Sequence, residues 1–270
     1  MNKTILITGA SSGIGNITAR HFQARGWNVI ATMRDPARGA ALAALDNVFV
    51  TRLDVRDGES IHAAIAAGIE HFGNIDVLLN NAGYGASGPL EATPAEKIRR
   101  QFDTNVIGLL ETTKAVLPLF RGAGKGIVIN ISSPAGKAGF PLSSLYCGSK
   151  FAVEGLSEAL SFELGAIGIT VKIVTPGHMA TEFGGASFDF NNEASLAEYQ
   201  PFVRKFEAIR QNYPAGGDPA AVAEVIYQAA TDGSRQLRYI AGNDARALIA
   251  ARHASDDATF MQGIASQFGL

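Results

Sequence analysis

A tyrosine and a lysine stand four residues apart in the stretch YCGSK, residues 146–150. Residues at this spacing lie on one face of an α-helix, so the side chains of Tyr146 and Lys150 can share one site. A free phenol has a pKa of about 10 and is a poor acid or base at neutral pH, whereas an adjacent ammonium group favours the phenolate and lowers that pKa. The pair is therefore a candidate for general acid-base chemistry, with Tyr146 exchanging the proton.

Two serines, Ser132 and Ser133, follow a short apolar run at 126–131 that reads as a strand. Doubly wound folds bind ligands at the carboxyl edge of the sheet, where a serine hydroxyl can donate to a substrate oxygen. Taken singly these signals are weak, because Tyr-x-x-x-Lys occurs by chance on amphipathic helices and serines at strand ends commonly cap turns. Their meaning depends on the motifs around them.

A glycine-rich turn, TGASSGIG at 8–15, links the first strand-like run to a helix-like stretch. Glycine at 9, 13 and 15 permits a tight turn, close approach of the backbone to a pyrophosphate and tight packing of the helix on the strand. The helix N-terminus presents free N–H groups to such an anion. The turn predicts dinucleotide binding, with contacts from Gly9, Ser11, Ser12, Gly13, Ile14 and Gly15.

These residues need a scaffold, and short β-branched runs alternate with helix-like stretches along the chain. The strand-like runs are 4–8, 28–33, 48–53, 77–80, 126–131, 170–175 and 237–241, and the helix-like stretches are 13–25, 60–72, 95–120, 146–167 and 219–231. Several runs lack polar alternation, as expected for parallel strands covered on both faces. The pattern predicts a single α/β domain over residues 1–270, a doubly wound Rossmann fold with a seven-stranded parallel sheet flanked by helices. An aromatic-rich segment at 183–214 and a tail at 243–270 extend beyond this alternation.

Composition argues against several other classes of protein. The 270 residues carry 23 basic and 25 acidic side chains, a net charge of −2, without a block of like charge, so a nucleic-acid partner is not expected. Cys147 is the single cysteine, which excludes an intramolecular disulfide and suggests a reducing cytoplasm. No apolar run approaches the ~18 to 20 residues of a membrane span, and the five histidines lack metal-ligand spacing, so neither membrane nor metal is expected.

The G-x-x-x-G-x-G spacing of the turn resembles that of the classical short-chain dehydrogenase/reductase family. Further motifs agree in order: Asp54-Val55 resembles the adenine-contacting pair, Asn80-Asn81-Ala82-Gly83 the fourth-strand signature, and Pro176-Gly177 with Thr181 the cofactor segment after the sixth strand. The resemblance is close over residues 4 to 182 and weaker over 237–242. It implies that Asp54, Val55, Asn81, Ala82, Gly83, Pro176, Gly177 and Thr181 contact a nicotinamide dinucleotide, together with Tyr146 and Lys150.

The resemblance also assigns catalytic roles. In the family the catalytic serine lies thirteen positions before the tyrosine, which selects Ser133 over Ser132. Asn105, in the helix motif NVIG, resembles the family's fourth member, which positions a water linking the lysine to solvent. The implied reaction transfers hydride to a carbonyl carbon while Ser133 and Tyr146 polarise its oxygen and Tyr146 supplies the proton. Gly148, where the family usually has alanine, is a departure expected to be tolerated.

The choice of dinucleotide depends on the end of the second strand. By alignment to the family, Met33 occupies the position where NAD-preferring members carry an acidic residue, and Arg34 follows it. A guanidinium can bind a 2′-phosphate that a carboxylate would repel, so NADP(H) is favoured. Alternatively, Arg34 pairs with neighbouring Asp35, and the enzyme is an NAD(H)-dependent alcohol dehydrogenase.

The substrate is less well defined. In the family the segment corresponding to 183–214 is the substrate lid, and its aromatic residues here suggest hydrophobic or aromatic ketones and alcohols. The same rings could equally anchor two short helices to the core. Expected substrate contacts are Ser133, Tyr146, Tyr84, Phe140, His178 and Phe183, with Met179 beside them. Family members are usually dimers or tetramers, so a homo-oligomer is expected. A dinucleotide-sensing regulator is the non-enzymatic alternative, but such proteins typically lose the tyrosine or lysine retained here.

Overall fold

The computed structural model describes residues 2–181 and 187–270, and the alternation of strands and helices expected from the sequence is confirmed there. The strands are β1 (Thr4–Thr8), β2 (Asn28–Met33), β3 (Val48–Arg52), β4 (Val77–Asn80), β5 (Gly85–Ser87), β6 (Gly126–Ile131), β7 (Ile169–Pro176), β8 (Phe188–Phe190) and β9 (Arg238–Ala241). The helices are α1 (Gly13–Gln23), α2 (Ala40–Ala43), α3 (Gly58–Phe72), α4 (Ala95–Phe102), α5 (Gly108–Ala123), α6 (Ser144–Gly165), α7 (Gln200–Gln211), α8 (Pro219–Thr231), α9 (Asn243–Ala254) and α10 (Asp257–Gln267). Each strand expected from the sequence begins and ends within one residue of its expected bounds.

The main sheet of the described residues has seven parallel strands in the order β3-β2-β1-β4-β6-β7-β9. The chain builds outward from β1 to β3 and then returns to place β4 on the other side of β1. The direction of winding therefore reverses between β1 and β4. In such sheets ligands bind at the carboxyl ends of the strands on either side of this reversal.

Strand β1 shows why these strands read as continuous apolar runs. All five of its residues are buried, because helices cover both faces of the sheet. Ile5 and Ile7 join a core with Phe22 of α1, whereas Leu6 joins a second core with Phe120 of α5. Full burial of each such aliphatic side chain contributes about 1.5 to 3 kcal/mol to folding. The two cores hold the strand ends, and the residues that follow them, in fixed positions.

Two regions differ from the expected pattern. The stretch 95–120, expected as one helix, contains a π-helical turn at Asp103–Ile107 between α4 and α5. The tail forms α9 and α10, whose Phe260 and Ile264 pack against Ala138 in the loop after β6. Within the described residues, no helix is both long and apolar enough to cross a bilayer.

The described part of the aromatic segment is attached to the body of the protein by backbone pairing and ring stacking. Strand β8 pairs in parallel with β5, forming a small second sheet. The ring of Phe190 stands nearly parallel to those of Phe188 and Phe206, at centroid distances of 6.1 and 5.8 Å, and Phe206 stacks in turn on Phe268 at 6.1 Å. Several rings of the segment therefore do anchor it.

Candidate active site

The glycine turn adopts a conformation that requires its glycines. Gly9 has a φ of 70° and Gly13 a φ of 54°, in the left-handed region that L-residues with side chains rarely adopt. A Cβ atom on Gly15 would lie 2.4 Å from the carbonyl oxygen of Gly9. The turn leads directly into α1, whose first amides lack intrahelical partners, so the cradle suits a pyrophosphate.

Asn81, just after β4, ties the turn to the neighbouring strand. Its Nδ2 donates hydrogen bonds to the carbonyl oxygens of Thr8 (2.9 Å) and Gly9 (3.1 Å). In return, the hydroxyl of Thr8 accepts hydrogen bonds from the amides of Asn81 and Ala82, both at 3.0 Å. These bonds join the carboxyl ends of β1 and β4 where the winding reverses, and so fix the floor of the site.

The segment after β7 closes the other side of the turn. The amide of Gly177 donates to the carbonyl of Ala241 (2.8 Å), and that of His178 donates to Asp244 in the first turn of α9 (2.6 Å). A side chain on Gly13 would meet Thr181 at 3.6 Å, so this segment reaches across to the glycine turn. Asp244 had no recognisable sequence signal, because only packing of the tail brings α9 to this edge.

Ser133, Tyr146 and Lys150 meet at the same edge of the sheet. Ser133 follows β6, and its hydroxyl is hydrogen-bonded to that of Tyr146 in the first turn of α6. The Ser133 oxygen also accepts a bond from the amide of Ala135 (3.2 Å), which orients it. Lys150 Nζ donates to the carbonyl of Ile131 (2.8 Å) and lies 5.9 Å from the centroid of the Tyr146 ring. Cys147 is buried, and its sulfur accepts a bond from the amide of Phe140 (3.4 Å), in keeping with a packing role.

Burial dominates the protonation of the two ionisable groups. It raises the pKa of Tyr146 to about 12, and the hydrogen bond from Ser133 offsets this only in part. It lowers the pKa of Lys150 to about 8, against the opposing charge of Glu154. Lys150 by itself therefore does not lower the pKa of Tyr146, because desolvation raises that pKa more than the hydrogen bond with Ser133 lowers it. The lowering expected beside Lys150 and a cationic, oxidised nicotinamide ring stays a prediction. Tyr146 is a protonated acid at neutral pH.

Asn105 lies behind the wall of the site, inside the π-helical turn. Its Oδ1 accepts a bond from the amide of Tyr84 (3.1 Å), and its Nδ2 donates to the carbonyl of Tyr84 (2.9 Å) and the hydroxyl of Ser149 (3.1 Å). The side chain thus links the loop after β4 to α6. Turns of this type are frequent at functional sites.

Tyr84, expected as a substrate contact, does not line the cleft. Its ring packs against the guanidinium of Arg100, 5.1 Å from the ring centroid, and its hydroxyl is buried. The two bonds from Asn105 fix the backbone at this position. The neighbouring Gly83 and Gly85 line the cleft, and a substrate contact by Tyr84 stays a prediction.

A cleft of about 750 Å³ runs along the carboxyl edge of the sheet. Its lining includes most of the expected residues, namely Gly9, Ser11, Ser12, Gly13, Ile14, Arg34, Asp54, Val55, Asn81, Ala82, Gly83, Ser133, Phe140, Tyr146, Lys150, Pro176, Gly177, His178, Met179 and Thr181. Gly15 and Asn105 stand behind this lining, and Phe183 lies outside the described residues. The lining also contains Arg100, Arg210, Leu248 and Gln267, which sequence motifs did not identify.

The far end of the cleft carries several charges. Arg34 is exposed at the end of β2, and with Ser11 and Arg38 it lines a side pocket of about 370 Å³. The carboxylate of Asp35 accepts a bond from the amide of Ala37 (3.1 Å), and an Arg34–Asp35 ion pair is absent between these two described residues. Burial would raise the pKa of Asp54, but backbone and side-chain hydrogen bonds from Arg56 outweigh it and lower that pKa. Arg38 is a further cation that the sequence reading missed.

A glycine cradle at the reversal point of a parallel sheet, with a serine, a tyrosine and a lysine at the same edge, is an arrangement typical of dinucleotide-dependent oxidoreductases. Comparison with known proteins agrees. The family model described as short chain dehydrogenase matches residues 3–192. The chain belongs to this family, and it is an oxidoreductase of the short-chain dehydrogenase type.

Individual relatives cover almost the whole chain. An uncharacterized oxidoreductase of Schizosaccharomyces pombe is 46% identical over 239 residues, which span 88% of this chain and 100% of the relative. A 3-ketodihydrosphingosine reductase of Bacteroides thetaiotaomicron is 43% identical over 231 residues, 82% of each chain. A short-chain dehydrogenase structure from Streptomyces avermitilis matches with a TM-score of 0.86 and 36% identity, over 97% of this chain and 96% of that one.

Related structures contain both nicotinamide dinucleotides. A short-chain dehydrogenase/reductase of Burkholderia phymatum in complex with NAD has 25% identity and a TM-score of 0.77, covering 97% of this chain and 95% of that chain. ElxO with NADP bound has 29% identity and a TM-score of 0.72, covering 89% of this chain and 98% of that chain. The fold therefore accommodates either dinucleotide.

Proposed function

We propose that this protein is an NADP(H)-dependent oxidoreductase that interconverts a hydrophobic or aromatic carbonyl compound and the corresponding secondary alcohol. The observation that carries the proposal is the meeting of Ser133, Tyr146 and Lys150 at the edge of a cleft that begins at the glycine turn. When bound there, a nicotinamide dinucleotide supplies the hydride donor or acceptor, and its oxidised ring is cationic.

The residues of the chain handle the proton. The hydroxyls of Ser133 and Tyr146 hold the substrate oxygen, and Tyr146 donates its proton as negative charge develops there. The raised pKa of Tyr146 keeps that proton in place at neutral pH. The ammonium of Lys150 then stabilises the phenolate that remains. A water beside Asn105 and Lys150 is the proposed route by which the proton is replaced.

Replacement of Tyr146 by phenylalanine tests this mechanism. Tyr146→Phe removes only the hydroxyl, so we expect unchanged NADPH affinity and turnover reduced about 10²- to 10⁴-fold. Tyr227→Phe is the matched control, because Tyr227 packs against Phe22 and Trp27 near the C-terminal end of α1, whereas the cleft lies at the N-terminal end of that helix. This substitution should leave activity unchanged. A panel of ketones with NADPH, and of secondary alcohols with NADP, provides the substrates. Turnover retained by Tyr146→Phe with every competent substrate would refute the assignment.

The preference for NADP(H) is supported by Arg34 and Arg38 beside Ser11. Two guanidinium groups at the end of β2 can bind a 2′-phosphate. Asp35 shares the pocket and would repel that phosphate, so NAD(H) dependence is the second candidate. Titration with both reduced dinucleotides, followed by nicotinamide fluorescence, separates the two. We expect tighter binding of NADPH and loss of that preference in Arg34→Ala, whereas tighter binding of NADH would favour the alternative.

The preference for a hydrophobic substrate is supported by aromatic residues in the cleft wall. Phe140, Phe188, Phe206 and Tyr213 line it. The relative from Bacteroides thetaiotaomicron is by its name a 3-ketodihydrosphingosine reductase. The segment 183–214 is proposed as the substrate lid, although Phe188 and Phe206 also stack with neighbouring rings. Methyl ketones of increasing chain length should show falling KM, and a constant KM would contradict this proposal.

The remaining expectations concern the whole protein. A dimer or tetramer is proposed, supported by exposed Phe151 and Phe162 on α6, and sedimentation velocity tests it. Residence in a reducing cytoplasm is proposed from the single cysteine. The presence of Tyr146 and Lys150 argues against the non-enzymatic alternative, a regulator that senses a dinucleotide. Such a regulator would bind NADPH but would turn over none of the tested substrates.

A further inference from the structure

A buried carboxylate, Glu154, lies one helical turn after Lys150 on α6. Residues four apart on a helix are neighbours on one face, with Cβ atoms about 5 to 6 Å apart. Glu154 is only 4% exposed, although acidic residues are almost never buried without a partner. The proposed mechanism uses Ser133, Tyr146 and Lys150 and gives Glu154 no role.

The partners of Glu154 come from two other parts of the fold and hold only one of its oxygens. Lys137 Nζ, after the turn that follows Ser133, lies 2.7 Å from Oε2, and Arg238 Nε of β9 lies 3.1 Å from the same atom. Arg238 also pairs with Glu158, one turn further along α6. The second oxygen, Oε1, is buried without a hydrogen-bond partner among the described residues. Two partly buried cations thus hold the carboxylate in a buried position.

Gly136, in the turn after Ser133, packs closely against the part of α6 that carries Lys150 and Glu154. A Cβ atom on Gly136 would lie 2.8 Å from the carbonyl oxygen of Lys150 and 3.0 Å from Cγ of Glu154. The same atom would lie 2.9 Å from the hydroxyl oxygen of Ser132, which is also buried without a partner. The turn after Ser133 therefore packs directly over the helical turn that joins Lys150 to Glu154.

We propose that Glu154 is a positioning residue that acts through Lys150: its buried charge keeps the buried side chain of Lys150 a cation. The proposal rests on the proposed function. Lys150 lies near the ring of Tyr146 and the charge of Glu154 on α6, and it donates to the carbonyl of Ile131 on β6. Glu154 is the anion of this group. Burial favours the neutral amine, and a nearby negative charge opposes this effect most strongly where water is absent. A neutral Lys150 could not stabilise the phenolate.

Glu154→Gln tests the role, because the amide keeps the shape of the side chain and removes its charge. We expect the alkaline limb of the pH profile of kcat for carbonyl reduction to move to lower pH by about one unit. In the cofactor-free protein, the pH midpoint for carbamylation of Lys150 by cyanate, followed by mass spectrometry, should move by the same amount. Glu158→Gln is the matched control: it removes the other carboxylate paired with Arg238, but Glu158 is exposed and two turns from Lys150. It should shift neither midpoint.

A variant with the opposite effect distinguishes electrostatics from damage to the fold. Lys137→Gln removes a cation that opposes the charge of Glu154, so both midpoints should move to higher pH. General loss of structure would instead lower kcat at every pH in both variants. Unchanged midpoints in Glu154→Gln, or shifts of the same sign in both variants, would overturn the proposal. Full activity of Tyr146→Phe would refute the proposed function itself, and this result is distinct from those that would overturn the role of Glu154.

Discussion

Gly15 offers a sharp test of how the glycine turn is built. It lies in the first turn of α1, where alanine would ordinarily be the better helix former. Here the added methyl carbon would lie 2.4 Å from the carbonyl oxygen of Gly9 and 2.6 Å from Nδ2 of Asn81. Both atoms belong to the link between β1 and β4, so relief of the clash must displace that link.

The expected cost follows from these contacts. Overpacking of a tight site costs about 1 to 3 kcal/mol. Displacement of Asn81 Nδ2 weakens its bonds to Thr8 and Gly9, each with a net contribution of about 1 kcal/mol. The helix propensity of alanine returns at most about 1 kcal/mol. Gly15→Ala should therefore destabilise the protein by about 2 to 4 kcal/mol and lower Tm by about 4 to 7 °C.

Thermal unfolding and NADPH titration measure the two consequences. Because the turn is also the proposed pyrophosphate cradle, we expect the Kd for NADPH to rise at least about tenfold, a change of 1.4 kcal/mol. Gly155→Ala is the matched control: it lies exposed within α6, and a Cβ there would meet nothing within 4 Å. That substitution should raise stability by about 0.5 to 1 kcal/mol without affecting Kd. Unchanged Tm and Kd in Gly15→Ala would refute the reasoning.

Three further predictions concern buried polar and charged side chains, or their partners, whose replacement should change stability or activity. Asp232→Asn should lower the free energy of unfolding by about 3 kcal/mol at pH 7, because it removes the carboxylate that lies 2.6 Å from the ammonium of buried Lys172. Lys172→Met, which removes the buried charge itself, should lower it far less. Urea denaturation measures both values. Although burial opposes this effect, hydrogen bonds with Lys172, Tyr239 and Ser234 lower the pKa of Asp232. The ionised carboxylate therefore stabilises the folded protein above about pH 4, and this stabilisation is lost as the pH falls through the lowered pKa. If Asp232→Asn and the parent protein lost stability equally in acid, the reasoning would be contradicted. Lys150→Met should raise Tm at pH 7, because burial of the Lys150 ammonium destabilises the folded protein. The gain in Tm should shrink between pH 8 and about 10.5, where deprotonation of the lysine relieves that cost in the parent protein. A gain in Tm that does not depend on pH would disprove this explanation. Asn105→Ala loses three hydrogen bonds to Tyr84 and Ser149, so it should lower the free energy of unfolding by about 2 to 3 kcal/mol. It should also lower kcat. An unaltered kcat would remove Asn105 from the proposed catalytic group.

Local features of the structure were accessible to sequence reasoning because they depend on neighbouring residues. The five residues of β1 are apolar or β-branched because helices cover both faces of the strand. Gly9 and Gly13 mark positions of positive φ, and the four-residue spacing places Tyr146 and Lys150 on one helix face. Each of these signals lies within a few residues of its structural consequence.

Features that depend on distant parts of the chain were missed. Strands β5 and β8 have three residues each, and their partners are about a hundred residues apart, so neither carries a periodic signal of its own. The π-helical turn at Asn105 has no glycine or proline to mark it, since its register is set by contacts with Tyr84 and Ser149. Asp244 and Leu248 reach the cleft only because α9 and α10 fold back over the loop after β6.

The sequence by itself thus determined the class of fold, the glycine cradle and the three side chains that could take part in proton transfer, Ser133, Tyr146 and Lys150. It could not give their protonation. Tertiary structure alone buries Tyr146 and Lys150, raising the pKa of one and lowering that of the other, and sets Glu154 behind them. The physical reason is that a group's hydration and its electrostatic surroundings depend on everything packed around it, which the spacing of residues along a chain does not encode.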